Sequence, residues 1–199
     1  MKKIFYILLF ILSAFVVYKL ICKVEEEEIE VENRIDSHVT EIKKLIRKDS
    51  KYNKNIAFFI DMKIPSGKNR FFVYDLNKNK IIDNGIVAHG SGSETGVKGK
   101  LKFSNVPNSL STSLGKYYIG NHYYGKFGKA YKLYGLDETN SNAFKRDIVF
   151  HYYYDVPYKE KDGYICNSFG CPMVNKRYFE RIAKIIDDSE TNILLSIYY

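Results

Sequence analysis

The sequence predicts a mainly β domain with helices at its periphery, behind a helical N-terminal segment. Three observations point there. Aromatic residues make up 16% of the chain, all Tyr and Phe with no Trp, and with the β-branched residues they suit pleated, half-buried surfaces. Short apolar runs punctuated by Gly, Asn and Pro recur from residue 55 onward. Helical periodicity is confined to one stretch near each end.

Met1-Lys2-Lys3 and the apolar run 4–18 have the charged start and apolar body of an export signal. Lys19 interrupts the run before Leu20, Ile21 and Cys22, and a lysine there can extend its ammonium group to the interface. No small-residue cleavage pattern follows. Residues 1–22 are therefore expected as a membrane anchor, with the remainder in the cell envelope on the periplasmic side of the cytoplasmic membrane. A cleaved signal peptide leads to the same side. Residues 23–54 are expected as a charged amphipathic helix and linker. Val31, Ile35, Val39, Ile42 and Ile46 form the apolar stripe, with Lys43, Lys44, Arg47 and Lys48 in the last turns.

Residues 55–199 form the folded domain. Strands are predicted at 56–62, 70–76, 81–88, 115–119, 130–134, 147–154 and 193–199, with turns at 65–69 and 77–80. The stretch 89–113 is poor in apolar residues and too long for a plain connection, which predicts a functional loop. A short helix is predicted at 139–145. A longer one, at 174–187, carries Val174, Tyr178, Ile182 and Ile185 on one face and opens near Pro172.

The net charge is +8, but the lysines fall at turns and alternate with aromatics, and no helix carries a continuous basic stripe. Nucleic acid is excluded as a partner on that ground. The loop 91–99 lacks nucleotide-loop spacing. The three cysteines and four histidines lack metal-site spacing, so no metal or cofactor is nominated. Cys166 is expected as a small buried hydrophobe. The sequence is silent on oligomeric state.

The chemistry concentrates in Asp147-Ile148-Val149-Phe150-His151 and Asn167-Ser168-Phe169-Gly170-Cys171-Pro172. His151 ends an apolar β-like run and shares a face with Val149. Cys171 is expected at the start of the 174–187 helix, where backbone N–H groups lower a thiol pKa. The N–H groups of Gly170 and Cys171 are candidate oxyanion donors, and Gly170 permits the backbone angles required. Two readings follow from these residues: a cysteine nucleophile with a histidine base, or a buried cysteine beside a histidine bonded to a neighbour.

Here the chain resembles the murein L,D-transpeptidases, in the branch whose catalytic domain departs from the commonest type. That type carries His-Gly and then Ser/Thr-His-Gly-Cys followed by an Arg; this chain has His151-Tyr152 and Ser168-Phe169-Gly170-Cys171-Pro172. The resemblance extends through Val87-Ala88-His89-Gly90-Ser91-Gly92, Phe103-Ser104-Asn105, Ser113-Leu114-Gly115, Tyr124-Gly125-Lys126, Leu133-Tyr134-Gly135-Leu136 and 142–146. It implies a β-sandwich or barrel-like fold with peripheral helices, acting on peptidoglycan stem peptides as donor and acceptor. A thiolate attacks the carbonyl joining an L-residue to a terminal D-Ala, D-Ala leaves, and an amine of a second stem resolves the thioester.

Cys171 carries over as nucleophile and His151 as general base, then acid. The backbone carbonyl of Tyr152 orients the imidazole in place of a protease carboxylate. Phe169 replaces the motif histidine, and Pro172-Met173 removes a cation suited to the substrate carboxylate. His89 either lines the pocket with Gly90 or pins the loop. Tyr124, Lys126, Ser168 and Phe169 are expected to border the stem-peptide groove. The expected function is L,D-transpeptidase. The alternatives are an L,D-carboxypeptidase or cross-link hydrolase, and a non-catalytic wall-binding module.

Overall fold

The computed structural model describes residues 2–199, without the side chains of residues 2–5, 7–9, 24, 27 and 28. Contacts divide the chain into two units, Met1–Thr40 and Glu41–Tyr199. From Lys2 onward the first is helical, part of a continuous helix α1 (Lys2–Lys48). The expected anchor falls partly on side chains outside the described ones, and among the described residues no helix is long and apolar enough to cross a membrane.

In the second unit eight strands close into a barrel: β1 (Tyr52–Asp61), β2 (Asn69–Asp75), β3 (Lys80–Ala88), β4 (Gly115–Gly125), β5 (Gly128–Gly135), β6 (Val149–Tyr152), β7 (Met173–Val174) and β8 (Asn192–Tyr198). Their order is β1-β2-β3-β7-β6-β5-β4-β8, closed on itself. Closure is narrow in places: β3 meets β7 only at Val87 and Ala88, and β4 meets β8 only from Gly115 to Tyr118. Neighbours are antiparallel except β1 with β8 and β6 with β7.

Local chemistry explains most of these elements. The β2–β3 turn is held by Asp75 Oδ1, which accepts from the Asn77 and Lys78 amides at 3.0 and 2.9 Å. Asn79 supplies the positive φ of 50° that closes it. The β4–β5 hairpin runs longer than the sequence predicts, turning at Lys126-Phe127 with Gly128 at φ 83°. β1 begins at Tyr52, so the expected linker is partly strand. Phe58, Phe71, Tyr117, Leu133, Phe150 and Leu195 fill the barrel. Helix α2 (Lys176–Asp187) packs Tyr178, Phe179, Ile182 and Ala183 against them. Gly85 makes this possible, since a Cβ there would meet the Tyr178 ring at 2.6 Å.

The largest departure from expectation lies between Cys171 and α2. Met173 and Val174 form β7, hydrogen-bonded between β3 and β6, and the helix starts only after Asn175. The Asn175 side chain caps it by accepting from the Arg177 amide at 3.0 Å. Cys171 therefore sits before a strand, and no helix N-terminus faces its sulfur. At 139–145 the expected helix is a 3₁₀ turn, Glu138–Asn140, followed by irregular turns.

Candidate active site

Parallel pairing of β6 with β7 sets the site. His151 lies opposite Met173 and Tyr152 opposite Val174. Because side chains alternate along a strand, His151 and Val149 share the outer face of the barrel while Phe150 points into the core. Cys171, two residues before Met173, falls on the same outer face beside Val149. It is thus diagonal to His151, a backbone separation of about 7–8 Å. Beneath lies a small outer cluster of Ile86, Ala88, Val156 and Met173, against which Cys166 and Cys171 pack. All three cysteines are free thiols.

The imidazole is firmly placed. His151 is 4% exposed, and its Nδ1 lies 2.9 Å from the Tyr152 carbonyl oxygen. That contact makes Nδ1–H the donor and leaves the Nε2 lone pair free to accept a proton. Phe127, at the β4–β5 turn, stacks on the ring at 5.3 Å and 22°. Burial lowers the imidazole pKa below its ordinary 6.5, with the Tyr152 contact opposing.

The thiol is held differently. Its sulfur accepts from the Val149 amide at 3.4 Å and its proton points to the Asp147 carbonyl at 3.6 Å. Burial pushes the thiol pKa up, while the Val149 amide and the nearby Arg146 cation pull it down. The thiol pKa is thus raised and not lowered as the sequence predicts, because the helix begins only after Asn175. The resting pair is a neutral thiol and a neutral imidazole.

Gly170 is required where it stands. Its φ is 119°, and a Cβ would approach Ile148 Cδ1 at 2.9 Å and the Ser111 carbonyl at 3.0 Å. Its N–H donates to Ser168 Oγ at 3.1 Å, so of the two expected oxyanion donors it is already engaged. Ser168 is buried, and its backbone exchanges bonds with the 89–91 segment: its amide donates to the His89 carbonyl and its carbonyl accepts from the Ser91 amide, both at 2.8 Å. It organises the loop. Gly90 packs directly on Gly170, with room for a Cβ lost to the Leu110 carbonyl at 2.2 Å and the Gly170 Cα at 2.9 Å.

His89 does not face the thiol. Its Nδ1 meets the Arg70 guanidinium at 2.8 Å and its Nε2 meets Glu94 at 2.7 Å, which pins the loop. Tyr124 is 75% exposed and borders a groove with Tyr152, Phe179 and Asp187 on the α2 side. Its neighbour Tyr123 turns the other way, towards Cys171 and Asp147. Lys126 lies over the Phe127 ring at 5.7 Å, and Phe169, two residues before Cys171, is 77% exposed.

Two cations that the sequence does not single out lie on this side of the barrel. Arg146 donates to the carbonyls of Ser104 and Ser111, both at 2.7 Å, and to the Ser109 and Ser113 hydroxyls. It thereby braces the 104–113 loop against Gly170. Lys132 pairs with Val149 across β5 and β6, so it shares the outer face two strand spacings, about 10 Å, from Cys171. Its ammonium lies over the Phe144 ring at 5.0 Å and the Tyr123 ring at 5.8 Å. The signal for Arg146 was its place in the 142–146 block; a lone lysine in a strand gave none.

A family model described as L,D-transpeptidase catalytic domain matches residues 26–196. Similar solved structures include the helical cell shape determining protein Pgp2 (K307A mutant) from Campylobacter jejuni, at 13% identity over 72% of this chain and 46% of that one, with a TM-score of 0.47. The L,D-transpeptidase of Xylanimonas cellulosilytica shares 13% identity over 73% of this chain and 61% of its own, with a TM-score of 0.40. Bd1075 of Bdellovibrio bacteriovorus shares 15% over 73% and 48%, with a TM-score of 0.44. The chain thus spans about half the length of the Pgp2 and Bd1075 chains. No curated protein matches it.

Proposed function

The chain belongs to the family of L,D-transpeptidase catalytic domains, and we propose that it is a cysteine acyltransferase that cross-links peptidoglycan stem peptides. The observation carrying this reading is the orientation of His151 by the Tyr152 carbonyl at 2.9 Å, on the strand whose Val149 amide donates to the Cys171 sulfur. It supplies a proton acceptor of fixed tautomer beside a nucleophile, without any carboxylate.

The Cys171 sulfur attacks the carbonyl between the L-residue and the terminal D-Ala while His151 Nε2 takes the thiol proton. The Cys171 N–H stabilises the developing oxyanion. The C–N bond then breaks, the imidazolium returns its proton to the departing D-Ala amine, and a thioester remains on Cys171. An amine of a second stem attacks the thioester, giving its proton through His151 back to the sulfur as the amide forms. Because both groups rest neutral, proton transfer accompanies attack instead of preceding it.

Lys132 is suited to the donor carboxylate, the role vacated by the missing motif arginine. Arg146 lowers the cost of charge on the sulfur. The same reading puts the enzyme in the cell envelope, outside the cytoplasmic membrane and held there by its N-terminal segment; the apolar run behind Lys2 and Lys3 supports this.

Incubation of the reduced full chain with disaccharide-tetrapeptide tests the proposal. Release of D-Ala with dimeric product is expected. Trimmed monomers without dimers would replace transfer to an amine by transfer to water, an L,D-carboxypeptidase. No release at all, with folded protein, would leave a non-catalytic wall-binding module.

A further inference from the structure

A cavity of about 400 Å³ opens between the β1–β2 turn, the loop after β3 and the 161–164 stretch, and neither Cys171 nor His151 lines it. Its size lies within the range of about 300–1,000 Å³ usual for ligand pockets. Six cations line it, Lys63, Lys68, Arg70, Lys98, Lys100 and Lys161, against two carboxylates, Glu94 and Asp162.

Both carboxylates have partners. Asp162 meets Lys68 at 3.1 Å and Glu94 meets His89 at 2.7 Å. Lys63, Lys98, Lys100 and Lys161 have no carboxylate partner among the described residues. Four unpaired ammonium groups around one low-dielectric opening attract an anion more strongly than they would on a flat surface.

The floor is rigid. The buried Arg70 donates to the Val87 carbonyl at 2.9 and 2.8 Å and to the Ile64 carbonyl at 3.1 Å. Its remaining contact, to His89 Nδ1 at 2.8 Å, leaves His89 Nε2–H to hold Glu94. The walls are apolar, formed by Met62, Ile64, Pro65, Leu101 and Tyr164.

We propose that this cavity is a second binding site, separate from the thiol, for a carboxylate-bearing peptide: a peptidoglycan stem other than the one being acylated. The choice of substrate polymer rests on the function proposed above. The four lysines come from three separate segments, around 63, 98–100 and 161, which fits several spaced carboxylates better than a single phosphate. The apolar walls would stay unfilled by a bare inorganic anion. The site also adjoins the catalytic loop in the chain: Tyr164 lines the cavity, and the backbone of His89 pairs with Ser168, two residues before Gly170.

The test uses the full chain carrying Cys171→Ala, which binds without turnover, and calorimetric titration with the free-acid tetrapeptide stem. A second site is expected. Lys98→Glu with Lys100→Glu should weaken that site roughly tenfold or more, the effect of losing charge-assisted contacts. Leu101→Trp, which fills the cavity without changing charge, should weaken it as well. Inorganic phosphate and the amidated peptide should compete poorly.

Peptide affinity unchanged in both variants would overturn the proposal, as would phosphate binding as well as the peptide. Acylation of otherwise wild-type cavity variants separates the two claims. Normal D-Ala release with unaltered second-site binding sinks the cavity proposal alone. Failure of all release, with cavity-dependent peptide binding intact, sinks the catalytic reading alone.

Discussion

Cys171 and His151 are displaced from their ordinary pKa values in opposite directions, the thiol upward and the imidazole downward, and in both burial is the leading cause. A thiol whose pKa is raised above its ordinary value alkylates slowly at neutral pH and faster only at more alkaline pH than a free cysteine needs. Arg146 opposes the upward shift, so Arg146→Gln should move the midpoint of iodoacetamide labelling to still higher pH; a midpoint that moves down would deny it that role. His151→Ala should retain fold and substrate affinity while losing about 10²–10⁴-fold in turnover, the usual worth of positioned proton transfer. Unchanged turnover would require another base, and His89, with both ring nitrogens engaged, is not available. Phe127→Ala frees the imidazole from its stacking partner. A lower kcat at little changed thermal stability is expected, measured on the same substrate.

At the scale of elements, the site depends on close backbone approach. Gly90→Ala would drive a Cβ into the Leu110 carbonyl and the Gly170 Cα. Thermal melting should show a loss of about 1–3 kcal/mol, as for overpacking generally, with catalysis impaired beyond that loss because Gly170 shifts.

The sequence made the strands from β1 to β5 legible, since their alternation and turn residues are local signals. It singled out His151 and Cys171 but misjudged the element that follows the cysteine. β7 has only two residues, Met173 and Val174, too few to show a period, and Pro172 imitated the first turn of a helix whose true cap is Asn175. That Tyr123 and not Tyr124 lies towards Cys171 has a similar cause. The register of β4 against β5 shifts between Ile119 and His122, and one such slip reverses which side chains face outward. Lys132 became visible only when the sheet order set β5 beside β6.

Over the whole molecule, the closed barrel fixes the distance between β6 and β7, and its stability carries a pH signature. His89 and His151 both have pKa values below 6.5 in the fold, because burial disfavours their charged forms. The unfolded chain therefore takes up these protons first, and stability present above about pH 6.5 is lost as pH falls through the folded values. The thermal midpoint should drop between pH 7 and pH 5; a flat or rising midpoint contradicts this origin. The central claim is chemical, and mapping the acyl-enzyme tests it most directly. Full-length protein, quenched at acid pH during turnover of disaccharide-tetrapeptide, should yield a Cys171-containing peptide heavier by the acyl group left after loss of D-Ala. The adduct should be absent in Cys171→Ala and present in Cys166→Ala. An adduct on Cys166, or turnover without any adduct on Cys171, would contradict the account.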